Sequence, residues 1–437
     1  ILKKGNIYLH LAAETGQIQA FKQAFNQKDD RNIKNKFGET SLHHACKNGS
    51  VSIAQFLLKN TELENNVDAK DNLGINLNAK TKYGYTAFHW ACSKGHSNVV
   101  KILMENAVAL SIDLNTKDNT GMTGYHWACK KGHTNVAKVF MENAATLCID
   151  LNKKSMDFET GFHLACKGGH SDVVKIFMEN VGNLNKNITN DHGETPCHLA
   201  CKEGQFEIVK LLLENAHLEI MDLNAKSVFG QTAFELACWK AIQPLNWNVG
   251  KQCRRKGRLD VIKILMENAA NLEIDIIGTD ASGRTAFIRN CILGHSKLVK
   301  MFIEYSGIDL NTKDNNGRTG FHWACNQGHS GIVKIFMENA ATYGIDLNME
   351  DNNGMTAFHI ACHNGHSDVV EMFLENASDL NIDLTIRTQI SNCHKGHSDV
   401  VKIFLDNALD LTIDLTIKTQ ISNCQYITKV ILKMIVA

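Results

Sequence analysis

The chain has 437 residues, more than a single compact core usually accommodates, so several domains or a repeat array are expected. Its 46 basic residues balance 46 acidic ones, which gives no overall pull toward nucleic acid or an anionic membrane. Two prolines, no long Gly/Ser or charged run and no apolar stretch of about 18 residues leave neither an obvious linker nor a membrane-spanning candidate. The N-terminus, Ile1-Leu2-Lys3-Lys4, has no signal-peptide pattern and no initiator Met, so the chain is expected to begin inside a longer product.

The first unit, Gly5 to Ala24, is built around Leu9-His10-Leu11-Ala12-Ala13. Fuller copies run from Gly38 to Ala54, Gly84 to Val100, Gly121 to Ala137, Gly193 to Val209, Gly317 to Val333 and Gly354 to Val370. A further copy, Thr160 to Val174, has Phe158 in the glycine's place. In the copy starting at Gly121, Thr123 reads as a helix N-cap whose hydroxyl accepts a backbone N–H. Tyr125, Ala128 and Cys129 follow at i, i+3 and i+4, one apolar face of a helix too short to stand alone. Gly132 suits the left-handed residue that ends it, and Val136, Val139 and Phe140 give a second helix a similar face. The unit is turn, helix, tight turn, helix.

These residues resemble the ankyrin family, whose pattern is Gly-x-Thr-Pro-Leu-His-x-Ala-Ala-x-x-Gly-His-x-x-Val-Val. The resemblance covers nearly the whole chain to about Ala377. It implies an all-α solenoid of stacked helix–turn–helix units, joined by β-turn or hairpin-like loops, with a concave face. About ten units are expected over residues 1–380, with an insert near 239–256, followed by degenerate terminal repeats over 381–437.

Several features depart from that pattern. The motif histidines His89, His126 and His163 stand 37 residues apart, where the family period is about 33. The extra residues, Ala107-Val108-Ala109-Leu110 and Ala144-Ala145-Thr146-Leu147, amount to one turn of good helix formers. They predict a lengthened second helix, with a plain longer loop as the alternative. Only Pro196 keeps the motif proline; Ala87, Gly124, Gly161, Ala233, Ala286, Gly320 and Ala357 replace it, at a small expected cost in stability. Two units lose the motif histidine, to Glu235 and Ile288. Trp239, Trp247 and Arg254-Arg255-Lys256 make the insert either a projecting binding loop or an artefact of the gene model. After Asp383 the turn and first helix vanish. Ile390-Ser391-Asn392-Cys393 recurs at Ile421 to Cys424, before an apolar ending that makes a poor terminal cap.

Eleven of fourteen cysteines (46, 92, 129, 166, 201, 238, 291, 325, 362, 393 and 424) share one repeat position. Equivalent points on stacked helices lie about 8–10 Å apart, beyond the roughly 7 Å Cα limit of a disulfide. They read as small buried thiols of a reducing, intracellular compartment, cytoplasmic or nuclear. His-x-x-Cys, as in His89/Cys92, mimics zinc spacing, but four converging ligands are needed and neighbouring copies are a stack step away. No metal or other cofactor is expected. By the resemblance, His89, His126, His163, His198, His322 and His359 bond within the turn–helix corner. His96, His133, His170, His329 and His366 support the turn between helices. Asn115, Asn152 and Asn348, in Asp-Leu-Asn, match asparagines that the family can carry hydroxylated. No phosphate-cradling, H-E-x-x-H or G-x-S-x-G motif is present, so neither an enzyme nor a small-molecule substrate is expected. Trp90, Trp127 and Trp323 read as inter-repeat packing.

The resemblance places the two positions after the repeat cysteine on the concave groove, where partners commonly bind. They hold Lys47, Lys94, Lys130, Lys131, Lys167, Lys202 and Lys240, with one acidic residue, Glu203. Later units change to Ile292-Leu293, Asn326-Gln327 and His363-Asn364. Turn tips add Tyr83, Tyr85, Met122, Arg318 and Met355. The expected function is a non-catalytic, monomeric protein-interaction scaffold whose groove takes a protein partner through an acidic segment. The alternative is a regulatory or targeting arm of a larger enzyme or channel whose catalytic part lies outside this chain. The bland reading makes the lysines solvated filler, and nucleic-acid binding is disfavoured by the zero net charge.

Overall fold

The computed structural model describes residues 2–26, 31–65, 75–179, 185–216, 221–242, 249–305 and 307–384. The repeated Ile-Ser-Asn-Cys strings, Trp247 and the side chains of Arg254 and Arg255 lie outside the described residues. Within them are ten helix pairs and no strand, with one isolated antiparallel bridge, Thr279 to Thr285. None of these helices is long and apolar enough to cross a membrane.

The chain divides into two compact units, Ile1–Asn268 and Ala269–Ala437. The first holds seven pairs: α1 (Leu2–Thr15) and α2 (Ile18–Asn26), α3 (Ser41–Asn48) and α4 (Val51–Asn65), α5 (Ala87–Lys94) and α6 (Ser97–Glu105), α7 (Gly124–Lys131) and α8 (Thr134–Asn143), α9 (Gly161–Gly168) and α10 (Ser171–Glu179), α11 (Pro196–Glu203) and α12 (Phe206–Glu214), α13 (Ala233–Ile242) and α14 (Val249–Glu267). The second holds α15 (Ala286–Ile292) and α16 (Ser296–Glu304), α17 (Gly320–Asn326) and α18 (Ser330–Tyr343), α19 (Ala357–Asn364) and α20 (Ser367–Asn376). Within each unit, first helices stack on first helices and second on second. Part of the predicted insert is helical, since α14 begins at Val249, inside it.

A first helix this short holds because of its N-terminal corner. Thr86 precedes α5 in extended backbone, and His89 fills the position that Glu or Gln takes in an ordinary capping box. The Thr86 N–H donates to His89 Nδ1 at 3.1 Å, and the Thr86 hydroxyl lies 2.8 Å from the same nitrogen. With Nδ1 accepting, the proton sits on Nε2, which donates to the Met122 carbonyl of the next repeat at 3.1 Å. His43, His126, His163, His198 and His322 do the same toward Tyr85, Lys153, Glu194, Gln231 and Met355. The corner role implied by the resemblance is present, and the ring also ties each repeat to the one after it. Where Glu235 and Ile288 replace the imidazole, Thr232 and Thr285 still accept the helical N–H, at 3.3 Å each.

The second histidine works in the opposite direction rather than within its own turn. His96 Nε2 lies 3.0 Å from the Lys47 carbonyl, His133 2.8 Å from Ser93 and His170 2.9 Å from Lys130. His329 and His366 reach Ile292 and Asn326, 3.0 Å each. Each acceptor is a carbonyl at the end of the preceding first helix, left without a helical partner. The ring passes so close that a Cβ on Gly132, already at φ +72°, would stand 2.4 Å from His170 Nδ1. Gln205 and Arg258 substitute for the histidine: Gln205 Nε2 donates to the Lys167 carbonyl at 3.1 Å and Arg258 Nε to Lys202 at 2.8 Å.

A third tie runs through the asparagines that follow the second helices. Asn78 donates to the Ser111 carbonyl at 2.8 Å and accepts the Asp113 N–H at 2.9 Å. Asn348 repeats this with Asn381 and Asp383, 2.8 Å each. Asn115 donates to the Cys148 carbonyl at 3.3 Å. The position therefore has a structural reason to be asparagine.

Between the helix layers runs an aromatic ladder. Tyr125 packs on Phe140 of its own repeat at 5.1 Å and on Phe177 of the next at 6.2 Å. Phe321 likewise meets Phe336 at 5.2 Å and Phe373 at 5.6 Å. The repeat cysteines described are free and buried, and burial pushes thiols such as Cys92 and Cys166 well above their usual range. At the motif-proline position, a Cβ on Gly161 would lie 2.6 Å from Tyr125 Cε1 and 2.8 Å from Cys129 Sγ. Glycine there makes room for an aromatic ring where the family has leucine.

The lengthened second helix predicted after α6 and α8 is corrected, although a second helix elsewhere is long. α18 runs on to Tyr343 and stops at Gly344, φ +64°. After α6 and α8 the added residues form a separate helical turn, with the Leu110 N–H donating to Asn106 at 2.9 Å and Leu147 to Asn143 at 3.0 Å. It ends on a left-handed non-glycine residue, Ser111 or Cys148. The turn buries Ala107, Leu110 and Ile112.

Two outcomes follow. Burial holds the imidazoles of His43, His126 and His163 down at about 4, against the ordinary 6.5. The unfolded chain therefore takes up protons first, so stability is fully present above pH 6.5 and is lost as pH falls through about 4. Urea midpoints measured across that window should fall steadily with acidification; a flat profile would rule out neutral buried imidazoles. Gly161→Ala should cost about 1–3 kcal/mol by overpacking Tyr125, read as a lowered Tm.

Candidate partner-binding surface

Each projecting turn is organised by its first polar side chain. Asp118 Oδ1 accepts the Thr120 N–H at 2.8 Å and the Met122 N–H at 3.0 Å, which allows Gly121, at φ +74°, to close the turn. Its other oxygen accepts the Trp127 indole N–H at 2.7 Å. Asp314 copies this, taking Asn316 and Arg318 N–H at 2.9 Å and Trp323 Nε1 at 2.9 Å. Thr81 holds the same place before Trp90. Its hydroxyl accepts the Tyr83 N–H at 3.3 Å and the Tyr85 N–H at 3.1 Å, but it has no second oxygen. Trp90 Nε1 is buried with no hydrogen-bond partner.

Trp127 packs between repeats, as expected. Tyr85 stacks on Trp90 at 5.3 Å and meets Trp127 of the next repeat at 5.5 Å. Cations line two of these rings and that of Trp239. Lys47 lies 4.7 Å and Lys94 5.9 Å over Trp90, Lys130 5.1 Å over Trp127, and Lys240 4.2 Å over Trp239.

The structure separates six of the seven predicted lysines into two groups. Lys167 pairs with Glu159 and Lys202 with Glu194, both at 2.7 Å, and Lys47 with Glu39 at 3.5 Å. These glutamates are buried. Burial pushes Glu194 up, but its bonds to Lys202 and Asn190 prevail and hold the carboxyl below the usual range. The three lysines are thus internal counterions. Lys94, Lys130 and Lys131 are exposed, with no carboxylate within 4.0 Å among the described residues. The signal was readable: a glutamate stands eight residues before each paired lysine. Met122 occupies that place before Lys130, and Tyr85 occupies it in the repeat of Lys94.

The structure overturns the turn-tip expectation at Met122 and leaves only partial exposure at Tyr85, Arg318 and Met355. Met122 is buried at 6% exposure and turns inward, with its carbonyl held by His89, so it offers a partner no surface. Tyr85 is half-buried, its phenol pushed up to about 12 by burial, with the Asp118 carboxylate adding to it. Arg318 donates to Asp351 at 3.2 Å and covers Trp323 at 5.2 Å. Met355 is half-buried, and its carbonyl accepts from His322. Tyr83 is exposed as expected. Sequence reading missed Phe37, Met156, Val228 and Phe229, exposed on neighbouring tips beside or near the motif glycine. It also missed Lys80, Lys117 and Lys154, whose ammonium groups donate to carbonyls of the next turn, Lys117, Lys154 and Thr189. Both ring nitrogens of His89, His126, His163, His198 and His322 are engaged and the cysteine three residues on is buried, so among the described residues these His-x-x-Cys pairs present no convergent donors.

A family model described as ankyrin repeats (3 copies) matches residues 9–118, 65–154, 107–185, 143–227, 162–249 and 291–387. No curated protein matches the chain.

Phe158 holds the turn position that glycine holds in the neighbouring repeats, and it does so at φ +56°. An L side chain is disfavoured there by about 1–2 kcal/mol. Phe158→Gly should therefore raise stability by about 1 kcal/mol in chemical denaturation.

Proposed function

Because the chain belongs to the ankyrin-repeat family, whose repeats are generally protein–protein interaction modules, we propose that it is a non-catalytic interaction scaffold whose concave groove takes an acidic segment of a protein partner. One observation carries the reading. Lys94, Lys130 and Lys131 sit exposed at the C-terminal turns of α5 and α7, whereas Lys47, Lys167 and Lys202 have their own glutamates. A net charge of zero conceals this local excess, because the balancing carboxylates lie elsewhere. Partner charges meeting these lysines gain steering and register more than raw affinity. Neutral overall charge keeps nucleic acid a poorer fit. The free, buried cysteines support an intracellular setting, cytoplasmic or nuclear. The chain acts as a monomer in this reading.

The groove is tested with a labelled polyglutamate peptide and fluorescence anisotropy. Lys94→Glu/Lys130→Glu/Lys131→Glu should weaken binding about tenfold or more and flatten its salt dependence. Lys202→Met, which removes an internally paired lysine, should leave binding near wild type. Unchanged affinity in the triple variant would sink the groove reading.

A further inference from the structure

Three tryptophans occupy the same repeat position, and two have their indole N–H bound by a carboxylate of their own turn. Trp127 uses Asp118 at 2.7 Å and Trp323 uses Asp314 at 2.9 Å. The third, Trp90, has Thr81 where the aspartate should be, and its Nε1 is a buried donor with no partner. A buried N–H left unbonded is costly, and the cost is recovered when an acceptor arrives.

The surroundings specify that acceptor. Lys47 and Lys94 lie 4.7 Å and 5.9 Å over the Trp90 ring, and Tyr85 stacks against it. The glutamate that Lys47 meets, Glu39, is already engaged by Asn35 at 2.7 Å and by Lys47 at 3.5 Å. Two cations and an unbonded N–H converge where the chain's own pattern calls for a carboxylate. We propose that Trp90 is the anchor of the acidic partner segment: an Asp or Glu side chain of that segment accepts from Trp90 Nε1 and lies between Lys47 and Lys94, supplying in trans what Asp118 supplies to Trp127 in cis. The inference rests on the acidic-segment reading and adds to it one point of contact. The nitrogen is screened from solvent, so entry displaces a covering group. The incoming carboxylate pairs with the exposed Lys94, while Lys47 stays over the ring as the counterion of Glu39.

The full chain carries five tryptophans, so its indole N–H resonances can be followed individually by 15N NMR. The Trp90 signal is the one missing from Trp90→Phe. Titration with polyglutamate peptide should move the Trp90 resonance downfield, while that of Trp127, already bonded to Asp118, should shift little. Trp90→Phe keeps an aromatic ring and changes no charge, and should weaken peptide binding about tenfold. Thr81→Asp keeps the indole, supplies the carboxylate internally and should also weaken binding while the chain remains at least as heat-stable as wild type. If the peptide binds through the lysines but the Trp90 signal stays put, or Trp90→Phe binds like wild type, the anchor is wrong and the groove reading survives. If the wild-type chain does not bind polyglutamate at all, the acidic-segment reading fails and the anchor with it.

Discussion

The structure depends on a neutral imidazole held at six of its turn–helix corners. His89 accepts from Thr86 through Nδ1 and must then carry its proton on Nε2, the side that faces the next repeat. One ring thereby fixes the start of a short helix and ties it to its neighbour. The second histidine returns the connection, closing off a carbonyl of the preceding first helix. Neither helix face can be buried by one repeat alone, so these ties between neighbours are where the stability of the array resides. Burial keeps the corner rings neutral, and protonation at Nδ1 would set two donors against each other.

The same dependence on neighbours explains why identical residue types do different work along the chain. Lys202 lies along a buried Glu194 and serves the interior, while Lys130, with Met122 in the glutamate's place, faces solvent. Lys117 donates to the next turn. Trp127 is bonded by Asp118, whereas Trp90, with Thr81 before it, is not. What distinguishes one repeat from another is thus a small set of substitutions in the turn, eight or nine residues before the side chain they affect.

Much of the scaffold was legible in the residues. Thr123, His126, Gly132 and the apolar spacing of Tyr125, Ala128 and Cys129 are local signals, and the helices fall where they place them. The buried cysteines and the packing role of Trp127 were readable for the same reason. The partition of the lysines was encoded too, in Glu39, Glu159 and Glu194, but it needed the corner geometry before a spacing of eight could be recognised as a contact. The direction of the second histidine was not readable. Its partner is roughly 40 residues upstream, on another helix, a distance that follows from how repeats stack.

By itself the sequence determined the family, the all-α repeat and the order of turn, helix, turn and helix, because caps, glycine stops and apolar periodicity act within a few residues of themselves. Only the tertiary structure decided that Met122 is internal, that the added residues after α6 make a separate turn, and that Lys94, Lys130 and Lys131 are the exposed cations beside Trp90 and Trp127. Those outcomes turn on which atoms of adjacent repeats come within hydrogen-bonding or van der Waals reach, and a linear pattern carries no such distances.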